Sequence, residues 1–318
     1  MTTDDIGGRY DHRMRHRHTD AVGSAVGALA DSVFADPQRG HPVALFGSGV
    51  AASQNVLYRD DRARGAVFAA WWIGVGALCG VLARRAGAAG TAAATFSALG
   101  GTSLCRIGDE ISAALESGDV DGARTAVAGL VGRDTTRLDE TGICRAALES
   151  IAENTSDAAV APLFWGAVAG APGMLGYRAA NTLDAMVGYR SEKYLRFGWA
   201  SARIDDVANL VPARVTASIV GALSGRPHEV WTAVRRDAGS HPSPNAGVVE
   251  AAFAGALGIS LGGRTEYAHG VEDRPRLGDG PPPTAADLRA AVTLSRRVQR
   301  VSAAAAVLVR AGTGRYLP

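Results

Sequence analysis

Three polar clusters carry the chemistry this sequence can offer. The first lies in RLDETGICRAALESIAENTSD, residues 137–157, where Arg145, Glu149 and Glu153 recur every four residues and share one face of a helix. Ile143, Ala147 and Ile151 form the roughly opposite, apolar face. Carboxylates at this spacing can hold a cation or accept a proton; the plainer reading is a solvated helix carrying an Arg145–Glu149 ion pair. What favours chemistry is their place immediately before an apolar run. Asn154, Ser156 and Asp157 cap or line that entry, where polar groups without partners are costly.

The second cluster is SARIDD, residues 201–206, again ahead of an apolar stretch, which contains Asn209, Pro212 and Arg214. The adjacent Asp205 and Asp206 suit a hard cation such as magnesium, which takes one or two carboxylates plus phosphate oxygens. Acids stabilising a helix N-terminus are the alternative. The third, RRDAGSHPSPN at 235–245, is too rich in proline to be helical throughout and too functionalised for a linker. Its arginines are suited to bidentate contact with phosphate.

Other phosphate sites are excluded or weak. Lys193 is the single lysine and follows Glu192, so the Gly-Lys-Ser/Thr step of a P-loop does not occur. VALFGSGVAA, residues 43–52, imitates the glycine turn of a dinucleotide site, but Asp60 and Asp61 come too early, in an Arg-rich loop, and an apolar run follows. His12, His16 and His18 imitate metal-ligand spacing, yet the interleaved Arg13, Arg15 and Arg17 would repel a dication. Cys79, Cys105 and Cys144 form no CxxC and read as small buried hydrophobes, so no bound zinc or haem is expected. A formal net charge of +2 and the lack of a recognisable motif speak against a nucleic-acid partner.

The elements that must position these clusters are mostly apolar helices. Residues 65–83, GAVFAAWWIGVGALCGVLA, run uncharged for about the length a hydrocarbon core requires. Arg59, Arg62 and Arg64 before it and Arg84 and Arg85 after it leave its orientation open. A second uncharged run, 86–104, follows closely enough to form a hairpin with the first. A third, 158–176, is interrupted by Pro162 and Pro172 and reads as broken or re-entrant. The fourth, 207–223, carries Asn209 and Arg214 and could be interfacial. Residues 106–155 read as amphipathic helices around the turn ESGDVDG, 226–283 as polar and Gly/Pro-rich, and 285–310 as helix again. With strand signals scarce, the fold class is all-α: a polytopic membrane helical protein with about four or five membrane-associated segments and amphipathic helices and loops at the surface. The first twenty residues lack the apolar core of a signal peptide and read as a disordered Arg/His-rich tail, 21–310 as one integral-membrane domain, and 311–318 as a C-terminal tail.

Taken in order, the motifs resemble the CobD/CbiB family of cobalamin-biosynthesis proteins, the adenosylcobinamide-phosphate synthases. The resemblance runs through DPQRGHPV (36–43), VGRDT (131–135), ESIAENTSDAAVAPLFWG (149–166), YRAANTLDAMVGYRSEKY (177–194), FGWASARIDDVANLVPARVTA (197–217) and RRDAGSHPSPNAGVVEAAFAGALGISLGG (235–263), covering most of residues 30–295. Ala158 departs from the glycine usual in the family, and the N-terminal tail is an extension; neither removes a chemical group.

The resemblance implies a multi-pass protein of the cell membrane that condenses adenosylcobyric acid with aminopropanol phosphate, or ethanolamine phosphate, using ATP and magnesium. Membrane lipid and other corrinoid-pathway enzymes are its implied partners. Amide formation from a free carboxylate needs an activated acyl group, so such a site holds two phosphate-bearing substrates and stabilises phosphoryl charge. On that expectation Glu149, Glu153, Asp157, Asp205 and Asp206 are the catalytic candidates, with Glu153, Asp157, Asp205 and Asp206 those for magnesium. Arg133, Arg203, Arg214 and Arg236 are the candidate phosphate contacts. Asn154, Asn181, His241 and Asn245 would orient substrates, with Asp184 supporting the polar layer. A membrane transporter, or a noncatalytic scaffold for corrinoid-pathway enzymes, is the competing reading; the large polar share at 106–157 and 226–283 is more than a pore needs.

Overall fold

A computed structural model of the chain describes residues 3–35, 42–132, 134–267 and 270–312, with side chains described outside 3–16 and 264–273. The chain is predominantly helical: α1 (Thr3–Phe34), α2 (Pro42–Leu57), α3 (Arg62–Arg85), α4 (Gly87–Ala98), α5 (Gly101–Glu116), α6 (Val120–Ala128), α7 (Glu140–Thr155), α8 (Ala161–Val187), α9 (Trp199–Ser224), α10 (Pro227–Asp237), α11 (Ala246–Leu257) and α12 (Ala285–Gly312). One π-helical turn, Ser156–Val160, joins α7 to α8. The 226–283 stretch holds α10, α11 and an antiparallel hairpin, β1 (Leu261–Tyr267) and β2 (Gly270–Leu277), that the sequence does not announce. The chain divides into two compact units: residues 1–100, 161–208 and 302–318 in the first, 101–160 and 209–301 in the second.

The first unit contains α3, which has the composition of a membrane span and the surface of one. Val67, Trp71, Leu78 and Leu82 are more than half exposed along its outer side, an apolar stripe that water would not tolerate at this density. On the inner side Gly76 and Gly80 let α3 approach α8 closely. A Cβ on Gly80 would stand 2.4 Å from the Ala171 carbonyl oxygen, and one on Gly76 2.7 Å from the Ala179 Cβ. This four-residue spacing of small residues is how helices pack in lipid, where contact rather than water expulsion holds them together. Phe68 and Phe197 pack at 5.1 Å between ring centroids, and Trp72 donates its indole N–H to Ser53 Oγ at 3.0 Å, fixing α2 against α3.

Helices α3 and α9, and the 48 residues Glu140–Val187, are long and apolar enough to cross a membrane. The run at 86–104 is not. It is cut at Leu99, whose extended backbone ends α4 after 12 residues, about 18 Å of helix against a hydrocarbon core of about 30 Å. The third run is broken as its prolines suggest, with the non-helical residue at Gly170, two positions before Pro172. Helix α1 begins at Thr3, so the segment read as a disordered tail is helical; Asp20, at that segment's end, is buried. VALFGSGVAA lies in α2, which excludes the strand a dinucleotide turn requires. His18 is exposed, while the side chains of His12 and His16, and residues 313–318 of the C-terminal tail, fall outside those described.

The second unit is built around α7, whose Ile143, Ala147 and Ile151 are fully buried among Ile111, Phe253 and Leu288. Each such aliphatic or aromatic side chain contributes about 1.5–3 kcal/mol on burial. Asp139 caps α7 by accepting from Gly142 N at 2.7 Å. Leu261 and Leu277, paired across the hairpin, are themselves buried in this core.

Candidate functional site

The predicted residues fall into two groups, one in each unit. In the second unit, Glu149 is not on a solvated face. It is 2% exposed, its Oε1 accepts the Gly262 N–H of β1 at 2.9 Å, and its Oε2 lies 3.8 Å from Arg274 Nη1 on β2. A carboxylate on α7 thus holds the hairpin. His241 is buried nearby. Its Nδ1 lies 3.1 Å from the Ser243 N–H and 3.2 Å from the Ser243 carbonyl oxygen, and its Nε2 lies 3.7 Å from Glu250 Oε1 on α11. Burial, then the Arg274 charge, holds the His241 pKa below its ordinary value, against opposing pulls from the Ser243 backbone hydrogen bond and from Glu149. The imidazole is therefore neutral at physiological pH.

One helical turn further along α7 the environment changes. Glu153 is exposed, Asn154 is half-buried and donates to the Ser150 carbonyl at 3.0 Å, and Asp157 is half-buried in the π turn. Such turns widen a helix locally and occur often at functional positions. Arg214 donates to Asn245 Oδ1 at 3.2 Å and to the Leu210 carbonyl at 2.9 Å, so it leans over the loop that carries His241 and Asn245.

Arg236 is differently engaged. It grips Asp237 through Nε and Nη2 at 2.7 and 2.8 Å, and Asp279 through Nη1 at 2.9 Å. The pairing raises the guanidinium pKa further and depresses both carboxylates. Asp237 also accepts the Gly278 N–H at 2.7 Å. Arg133 lies outside the described residues.

In the first unit, Asn181 on α8 donates to Asp205 Oδ1 on α9 at 3.3 Å and accepts from Arg178 Nη1 at 3.3 Å. Asp205 is buried, Asp206 and Asp184 are half-buried, and Arg203 is exposed. Adjacent on a helix, Asp205 and Asp206 project about 100° apart. Glu153 and Asp157 lie four residues apart, at the end of α7 and in the π turn. Among the described residues no group of three or more His, Cys, Asp or Glu is placed to hold a metal without substrate.

Sequence reasoning passed over Glu250, Arg274, Asp237 and Arg178. Glu250 had a signal, as the single acid in the apolar AGVVEAAFAGAL of α11; Arg274 had none.

Comparison with known proteins bears on the whole constellation. The family model described as "CobD/Cbib protein" matches residues 24–295, spanning both units. The chain belongs to the CobD/CbiB family. It is 55% identical over 300 residues to "Cobalamin biosynthesis protein CobD" of Mycobacterium tuberculosis, covering 92% of this chain and 96% of that protein. CobD proteins of Rhodobacter capsulatus and Chromobacterium violaceum are 46% and 42% identical, covering 81% and 90% of this chain and 85% and 96% of theirs. No solved structure matches. The match takes in Glu149, His241, Glu250 and Arg274 together, so this CobD/CbiB chain carries its buried polar cluster inside the region that defines the family.

Proposed function

We propose that this CobD/CbiB protein acts in cobalamin biosynthesis as a multi-pass enzyme of the cell membrane. Its reaction is the condensation of adenosylcobyric acid with aminopropanol phosphate, or ethanolamine phosphate, to adenosylcobinamide phosphate. The observation that carries this reading is the end of α7, where exposed Glu153 and half-buried Asp157 follow a buried, fully engaged Glu149. A solvent-exposed carboxylate followed by a half-buried one at the mouth of an apolar run is what such a ligation needs.

ATP would supply the phosphoryl group that activates the corrinoid carboxylate, and magnesium would neutralise phosphate charge. Glu153 takes the proton released when the amine attacks the activated carboxyl carbon and inorganic phosphate departs. Asp157 supplies a metal-ligating oxygen, and Arg214 faces a substrate phosphate while Asn245 fixes its guanidinium.

The test is an assay of detergent-solubilised protein with adenosylcobyric acid, aminopropanol phosphate and ATP–magnesium, following the corrinoid mass. The expected result is a gain matching amide condensation. Absence of product from folded protein, with ethanolamine phosphate also tried, would replace the ligase by a scaffold for corrinoid-pathway enzymes.

A further inference from the structure

A cavity of about 420 Å³ lies within the first unit between α2, α3, α4 and α8, away from the acidic end of α7 in the sequence. A pocket this size accommodates a substantial apolar ligand. Phe46, Ala93 and Leu175 are among the apolar residues of its wall, and Cys79 opens onto it. Its two hydroxyls are already used: Ser97 donates to the Ala93 carbonyl and Thr182 to the Arg178 carbonyl, each within its own helix. Among the described residues one charged side chain lines it, Arg178. The guanidinium reaches Asn181 Oδ1 through Nη1, while its Nε is buried and makes no hydrogen bond. A permanently charged guanidinium in the wall of an otherwise apolar cavity asks for an anionic acceptor that arrives attached to hydrocarbon.

We propose that this cavity binds one anionic phospholipid, with an acyl chain along α3 and α4 and the headgroup phosphate on Arg178. Both α3 and the 48 residues containing α8 have the length and composition of membrane spans, which supplies the ligand at high local concentration. The site rests on the membrane reading of these helices and not on the ligase reaction. A small, fully polar amino-alcohol phosphate would leave the apolar walls unfilled.

Cys79 provides the readout, because it is exposed whereas Cys105 and Cys144 are buried. Purified full-length protein in mild detergent is titrated with phosphatidylglycerol, with the phosphate-free diacylglycerol of the same chains, or with inorganic phosphate, and the rate of Cys79 alkylation by a maleimide is measured. Phosphatidylglycerol is expected to slow alkylation at concentrations about tenfold lower than diacylglycerol, the factor a charge-assisted hydrogen bond contributes. Arg178→Gln should remove that preference while leaving protection by the chains, and Ala93→Leu, which fills the cavity, should remove protection by either lipid. Equal protection by the two lipids in the unaltered protein overturns the headgroup assignment. Protection by inorganic phosphate alone, or no protection by any probe, overturns the lipid site altogether. Each of these results is independent of turnover.

Discussion

Arg310 donates from Nη2 to Asp20 Oδ2 at 2.6 Å, and both side chains are less than a tenth exposed although 290 residues separate them. Arg84 Nε approaches the same carboxylate oxygen at 3.1 Å. The kink in α8 makes room for the pair: Gly170 sits at φ 70° and ψ −162°, a conformation closed to other residues, and a Cβ there would stand 2.8 Å from Arg310 Nη2. One carboxylate therefore ties the beginning of the chain to its end. Asp20→Ala leaves Arg310 buried without its counter-charge and is expected to cost about 3–5 kcal/mol. Thermal unfolding in detergent checks this; an unchanged midpoint would mean that lipid or water solvates Arg310 adequately.

Glu149 and Glu153 share a helical face but are placed to do different things. Glu153→Gln removes an exposed carboxylate, so the fold should persist while ligation falls by about 10²–10⁴-fold, the range for loss of a general base. Glu149→Gln keeps an acceptor for Gly262 N but loses the charge facing Arg274, and should lower stability first. Turnover and unfolding measured on both variants separate the roles. Near-normal turnover of folded Glu153→Gln sinks its assignment.

What could be read in advance depended on how local the cause was. Helix α3 was legible because nineteen uncharged residues specify a span by themselves. The run after it packs back on α3, as its closeness suggests, but it ends early because a single extended residue, Leu99, decides where α4 stops, and composition does not encode that. The face shared by Arg145, Glu149 and Glu153 follows from periodicity, but the burial of Glu149 comes from a hairpin 113 residues away. That hairpin was itself hidden, since Gly262, Gly263 and Pro275 disguise strands that pair only with each other. Arg236 reads as a phosphate contact by type and motif, while its ion pairs with Asp237 and Asp279 follow only from the fold.

Asp237 links α10 to the end of the hairpin by accepting from Arg236 and from the Gly278 N–H. Gly278, at φ 82°, could present that N–H in few other ways. Asp237→Ala should destabilise by about 2–3 kcal/mol through lost charge-assisted bonds. Because the folded Asp237 pKa lies below its ordinary value, chiefly through Arg236, its stabilisation is complete above about pH 4 and fades as pH falls through the folded value. An acid-unfolding series should therefore show the variant converging on the parent protein at low pH, and a constant difference down to the acid limit would refute the linkage.

His241 has the opposite consequence for charge and the same direction for pH. Burial and Arg274 hold its folded pKa down, so the unfolded chain binds a proton near pH 6.5 while the folded one does not. Stability is thus full above about pH 6.5 and falls as pH drops toward the folded value, by at most about 1.4 kcal/mol per pH unit for one proton. The groups facing the ring are Arg274, Glu149 and Glu250, and the two carboxylates do not outweigh burial and the arginine. His241→Asn keeps an acceptor near the Ser243 N–H and removes the titration. Its stability profile from pH 5 to 8 should be flatter than that of the parent protein. Equal slopes would show that His241 already binds its proton in the fold, with Glu250 as the partner that holds it.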